Sequence, residues 1–195
     1  MKTIVRLTAI PVFGLLSAAC IADPAWDQEG EIIDEDEQIE EAEEALSCSS
    51  IGSTVVDHAC WHATNGLTSD DGSVTANANA AFTTANPNVN TAHTWWTVTL
   101  PGSGSSYAGT VKFRPTVSGD YVFFVKDSNA TVTLMTDGGS TITPDFAVSV
   151  AGCTEISRAI GEYLTAYTTY RITLSDTTAA QNLIIERLNG CNNYY

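Results

Sequence analysis

The chain has 195 residues, enough for one domain with targeting and linker segments, and a formal net charge of −15 that is unevenly spread. Residues 23–46 hold 12 of the 23 acidic side chains and no Lys or Arg, so the rest of the mature body carries 11 acidic and 6 basic side chains. A body this mildly acidic excludes nucleic-acid binding driven by phosphate contacts, and no run after residue 22 is apolar enough to span a membrane.

Residues 1–22 read as an export signal. Lys2 and Arg6 form a basic n-region, and 10–19 is an apolar stretch of h-region length rather than a spanning helix. The signal ends in Leu16, Ser17, Ala18, Ala19 and Cys20, which resembles the lipobox of bacterial lipoproteins, where the Cys is diacylated and becomes the new N-terminus. Ser17 stands where that pattern has a large aliphatic residue. Two outcomes are therefore open: lipidation of Cys20, giving a membrane-anchored outer-membrane or periplasmic lipoprotein, or cleavage after Ala19 or Ala22 and release from the cell. The acidic segment 23–46 then reads as a disordered tether, kept extended by self-repulsion, with a nascent helix near 38–46.

Setting Cys20 aside leaves Cys48, Cys60, Cys153 and Cys191, an even number in a chain bound for an oxidising compartment. Of the three possible connectivities we favour Cys60 with Cys153 across the domain and Cys48 with Cys191 tying its two ends together. Each bridge is worth roughly 2–4 kcal/mol, mainly through the unfolded state.

From Ser47 onward, Thr, Ser, Ala, Asn, Gly and β-branched residues dominate, the usage of an all-β exoprotein. Residues 74–82 alternate weakly, with Val74, Ala76 and Phe82 on one face. The run 93–100 is clearer: Trp96, Val98 and Leu100 share one face, while His93, Trp95, Thr97 and Thr99 share the other. After a Gly/Ser turn at 101–106, 110–115 alternates around Val111 and Phe113. A turn signal at Val117, Ser118, Gly119 and Asp120 then predicts a hairpin into 121–125. That second run is apolar on both phases, as in a central strand covered on both sides or a strand lying under the tether. Further strands are expected at 131–136, closed by a turn at Asp137, Gly138 and Gly139, and at 146–150, 156–164, 170–174 and 183–188. No stretch after the tether reads as a long amphipathic helix. The expected fold is all-β: a single antiparallel β-sandwich over 47–195, jelly-roll-like, with about eight or nine strands.

The segments around 109–127, 131–140 and 168–176 resemble the bacterial pre-peptidase C-terminal type of exodomain, in which a Ser-Gly-Asp-Tyr turn leads into a strand and a late strand begins with Tyr. A closer resemblance is to uncharacterised envelope lipoproteins of Gram-negative bacteria. Those carry a Cys-x-His start, a His before the first long strand, a Gly-Asp-Tyr-Val-Phe-Phe core and a later Cys, matched here by Cys60 and His62, His93, 119–124 and Cys153. The resemblance covers roughly 58–188 and implies a sandwich; it implies no activity.

Three constellations bear on chemistry. In the run His58, Ala59, Cys60, Trp61, His62, extended backbone would place His58, Cys60 and His62 on one face, and His93 adds a third imidazole. Such nitrogen and sulfur donors suit zinc or copper, with Asp57 as a carboxylate substitute if Cys60 is oxidised. The plain alternative is a set of hydrogen-bonded or surface histidines. Trp95, out of phase with the core face, is expected to be exposed to a glycan or protein partner or covered by a loop. Turn acids such as Asp71, Asp127 and Asp137 follow no calcium-loop spacing. No nucleophile elbow, spaced acid pair, phosphate loop or zinc-protease helix is present, so no enzyme class is supported. The leading expectation is a non-enzymatic secreted or lipid-anchored envelope binding module without a cofactor. The alternatives are a zinc- or copper-binding domain and a carbohydrate- or protein-recognition module anchored by Trp95.

Overall fold

Alternating side chains in β-rich runs give each sheet an apolar face to bury, and the computed structural model buries them by stacking two sheets. It describes residues 46–65, 71–78 and 86–195; the export signal, Cys20, the acidic tether up to residue 45, Asp70 and Phe82 lie outside the described residues. In chain order the elements are α1 (Ser53–Asn65), β1 (Asp71–Thr75), β2 (Trp95–Thr99), β3 (Gly102–Ser103), β4 (Ser106–Phe113), β5 (Gly119–Val125) and β6 (Thr131–Thr136). There follow β7 (Thr141–Ile142), β8 (Phe146–Ser149), β9 (Arg158–Leu164), β10 (Tyr170–Asp176) and β11 (Ala180–Arg187). One sheet runs β1-β2-β11-β5-β9-β8 and the other β3-β4-β10-β6-β7. The fold is an all-β sandwich, with 11 strands among the described residues rather than eight or nine, because short edge pieces such as β3 and β7 add to the count.

The main core fills the space between the sheets. Val98 of β2, Tyr121, Phe123 and Val125 of β5 and Leu183 and Ile185 of β11 meet Val111, Phe113, Leu134, Ile172 and Leu174 of the facing sheet. A second cluster covers the opposite face of the six-stranded sheet, where Val122, Phe124, Ile184 and Ala159 pack under Val55 and Ala59 of α1. Burial on both faces explains why β5 is apolar on both phases. Phe123 and Phe124 point to opposite sides and both are fully buried, each stabilising by roughly 1.5–3 kcal/mol. Gly161 on β9 makes room for the Phe146 ring, since a Cβ there would sit 1.9 Å from it.

Several expectations are corrected. The turn at 117–120 closes no hairpin: β4 pairs with β3 and β10, whereas β5 pairs with β9 and β11 in the other sheet. Pro115 ends the first strand, Gly119 takes a φ of 149°, and the Tyr121 hydroxyl donates to Val117 O at 2.8 Å, so the segment is a corner between layers. The sheets are not wholly antiparallel, because β1 and β2 run parallel. Between them the chain crosses to the other layer, bridging Asn77 to Thr110 and Asn88 to Lys112 before returning, which provides the long connection a parallel pair requires.

The run 58–62 is helical, not extended. Its alternation is outweighed by the spacing of Val55, Ala59 and His62, which places these buried residues on one helical stripe against the sheet. Trp95 is neither exposed nor loop-covered in the sense of a ligand anchor. It is 9% exposed and belongs to the cluster beneath α1, while Trp96 faces the inter-sheet core. Disulfides join Cys48 to Cys191 and Cys60 to Cys153, the favoured pairing. The second bridge lies outside the sandwich, fixing α1 to the loop between β8 and β9, rather than crossing the core. Two disulfides suit an oxidising, extracellular-type compartment. Among the described residues no helix is long and apolar enough to cross a membrane.

Candidate metal centre

Strand β11 reads Leu183, Ile184, Ile185, Glu186, with the Glu in phase with Ile184 on the helix-covered face of the sheet. Its side chain is 0% exposed. A carboxylate held there must be matched by polar or cationic partners, because taking an ion out of water costs several kcal/mol.

Three imidazoles supply that match, from two directions. The β2–β11 ladder pairs Leu183 with Trp96, and extending it by three residues brings His93 opposite Glu186. His93 N donates to Ile185 O at 3.3 Å, and a φ of 57° turns the residue back toward the carboxylate. Nδ1 of His93 lies 2.6 Å from Oε2 of Glu186. From above, His58 and His62 stand one helical turn apart on α1, so their rings project to the same side. Nδ1 of His58 lies 3.3 Å from Oε1 of Glu186, and its Nε2 lies 3.3 Å from Nε2 of His62. Taking one ligand atom from each residue, the four groups all lie within 4.8 Å of one another. Two imidazole nitrogens thus stand within ion-pair reach of the two carboxylate oxygens, His58 at Oε1 and His93 at Oε2.

Burial lowers the His58 pKa, with Glu186 pulling it up and the imidazoles of His62 and His93 pushing it down. The balance favours the neutral ring, the form that offers a lone pair to a metal. Around the cluster, Tyr194 stacks on His58 with ring centroids 3.7 Å apart and planes 13° from parallel. It is carried there by a bridge to Leu188 and by the nearby Cys48–Cys191 bond. Trp61 meets the edge of His62 at 5.0 Å and is 53% exposed, marking the outer rim.

In a tetrahedral zinc site with bonds of about 2.0–2.1 Å, neighbouring ligand atoms are roughly 3.3 Å apart. Here one approach, His93 to Glu186, is 2.6 Å and the widest is within 4.8 Å, so the residue types fit a zinc site and the side chains must shift to close on an ion.

His58, His62 and His93 thus come together as a donor set, but two other candidates do not join them. Cys60 is removed by its disulfide, and Asp57 is exposed on α1 away from the cluster. Glu186 stands in their place as the fourth candidate donor. The sequence reading missed it although a signal existed: an acid inside the apolar run 183–188 has no reason to be there unless something pairs it. The Tyr194 stack had no comparable signal. Among the turn acids, Asp127 accepts from Asn129 N at 2.8 Å, the role of a turn residue. No protein-family model and no curated protein significantly matches the chain.

Proposed function

We propose that this domain binds a first-row transition-metal ion, zinc or copper, through His58, His62, His93 and Glu186, as an exported envelope protein that is either anchored through Cys20 or released. The observation that carries the reading is the fully buried Glu186 carboxylate facing three imidazoles from two separate elements. Nitrogen and carboxylate oxygen donors in this number are the ligands both ions use. The proposal is one of binding and assigns no reaction. The glycan- or protein-recognition reading loses its anchor, since Trp95 is packed beneath α1.

The test is metal analysis of protein purified without chelator, followed by titration of the stripped, oxidised protein. About one ion per chain is expected, held at submicromolar free concentration and lost on acidification as the imidazoles protonate. If folded, oxidised protein takes up neither zinc nor copper at micromolar concentrations, the reading is overturned. Intact mass decides the anchor: a diacylglycerol adduct on Cys20 supports it, and an unmodified N-terminus beyond Cys20 removes it.

A further inference from the structure

We infer that the Cys60–Cys153 disulfide gates the metal centre, so that the site holds its ion tightly only while this bond is oxidised; the inference rests on the metal reading above. Helix α1 brings two of the four ligands, yet it is a poor helix in isolation. It has 13 residues, begins with Ser53, Thr54, Val55 and Val56, and includes His, Cys and Trp, none of which favours helix strongly. Small apolar contacts from Val55 and Ala59, a hydrogen bond from Gly52 N to Cys191 O, and the two disulfides fix it in place.

The position of Cys60 makes its bond the decisive constraint. It lies two residues from both His58 and His62, which is about 200° around the helix from either one. The sulfur bridge therefore clamps the flank of α1 away from the metal ligands and fixes the rotation that aims both imidazoles at Glu186. The other bridge enters before the helix begins, at Cys48, and so holds the chain ahead of α1 rather than the turn that carries His58 and His62. Access separates the two bonds as well. The difference is one of degree: Cys48 is 4% exposed although its partner Cys191 is partly exposed, whereas Cys60 and Cys153 are both partly exposed and Cys60 adjoins the open Trp61 side chain. An attacking thiolate reaches the accessible bond first.

The chemistry is a thiol–disulfide exchange. A dithiol reductant attacks one sulfur, the S–S bond breaks through a mixed disulfide, and Cys60 and Cys153 leave as two thiols while the reductant closes to its own disulfide. Two electrons and two protons pass from reductant to protein. Freed of the clamp, α1 turns and frays, and His58 and His62 leave the ligand set. By linkage, a bound ion must protect the Cys60–Cys153 bond by the same factor that the bond strengthens metal binding.

Two measurements test the gate. Zinc affinity, read by chelator competition, is compared between oxidised wild type and the Cys60→Ser, Cys153→Ser double variant, which needs no added thiol. A weakening between about 5- and 150-fold is expected, the range one two-state element carries. Separately, full-length wild type is reduced with a limiting water-soluble phosphine, which takes its oxygen from water, and new thiols are alkylated and mapped. Cys60 and Cys153 should be labelled before Cys48 and Cys191, and added zinc should slow their labelling. A folded double variant with wild-type zinc affinity overturns the gate, as does labelling that zinc leaves unchanged. Should the double variant not fold, the labelling result decides alone. Oxidised wild type that binds neither zinc nor copper instead overturns the metal reading, so the two failures are distinguishable; if only copper binds, copper replaces zinc in both measurements.

Discussion

Two glutamates on neighbouring parts of one sheet meet opposite surroundings. Glu186 of β11 is fully buried on the helix-covered face and looks at three imidazoles. Glu162 of β9 lies beside Asp145, whose backbone N–H donates to its Oε2 at 3.2 Å, with Asp120 also near. Burial and those two carboxylates push the Glu162 pKa up to about 7, so it resists giving up its proton. The same side chain thus serves as a proton holder among acids and as a lone-pair donor among imidazoles. Burial of a carboxylate alone does not identify a ligand; the sign of what faces it does.

The sharpest way to break the comparison is to neutralise Glu186. Glu186→Gln should weaken zinc binding by about 100-fold or more, since it removes the one anionic ligand. Glu186→Leu should do the same while leaving the unfolding temperature of the metal-free protein unchanged or raised, because an apolar replacement escapes the cost of a buried ion. Wild-type affinity in either variant would show that Glu186 is a structural carboxylate like any other. Next in size, Cys48→Ser with Cys191→Ser should cost about 2–4 kcal/mol in denaturant unfolding and loosen Tyr194 from His58. The Glu162 side should be untouched by that change, and its pH response serves as the check.

That pH response has a definite sign. Because the folded pKa of Glu162 is raised above its ordinary value of 4.5, its contribution to stability is complete below about pH 4.5 and is lost as pH rises through about 7. Glu162→Gln should therefore stabilise the protein at pH 8 relative to wild type, by on the order of 1 kcal/mol after solvent screening at this partly exposed site, and by little at pH 4. Equal effects at both pH values would mean that the acidic neighbours do not hold its proton. The smallest effect belongs to the rim: Trp61→Ala should change unfolding stability by less than about 0.5 kcal/mol, since the ring is 53% exposed.

Much of the fold was legible because the strands obey a period of two. The run 131–136 became β6 with the same bounds, and 121–125 proved to be a central strand covered on both faces. Which sheet a strand joins is not a local property, so the 117–120 turn was read as a hairpin when Pro115 and Gly119 make a corner. The candidate site was half legible. Three histidines are rare enough to be noticed, but Val55, Ala59 and His62 reveal a helix only when spacing is weighed over more than five residues. Once 58–62 is helical, Cys60 must face away from His58 and His62, and the fourth ligand has to come from elsewhere. Pairing with Glu186, far off in sequence, depends on the β2–β11 register, which no single stretch encodes.

That register also orders events in time. Strand β11 is the last of the eleven described strands along the chain, yet it lies inside its sheet between β2 and β5, with Ile184, Ile185 and Glu186 all fully buried. While the chain is being made from its N-terminal end, β2 and β5 have no strand between them and the sheet remains split. Completion waits for residues 180–187, so the sandwich closes, and gains its carboxylate, in one late step whose loop-closure cost is set by strands about 60 to 85 residues upstream.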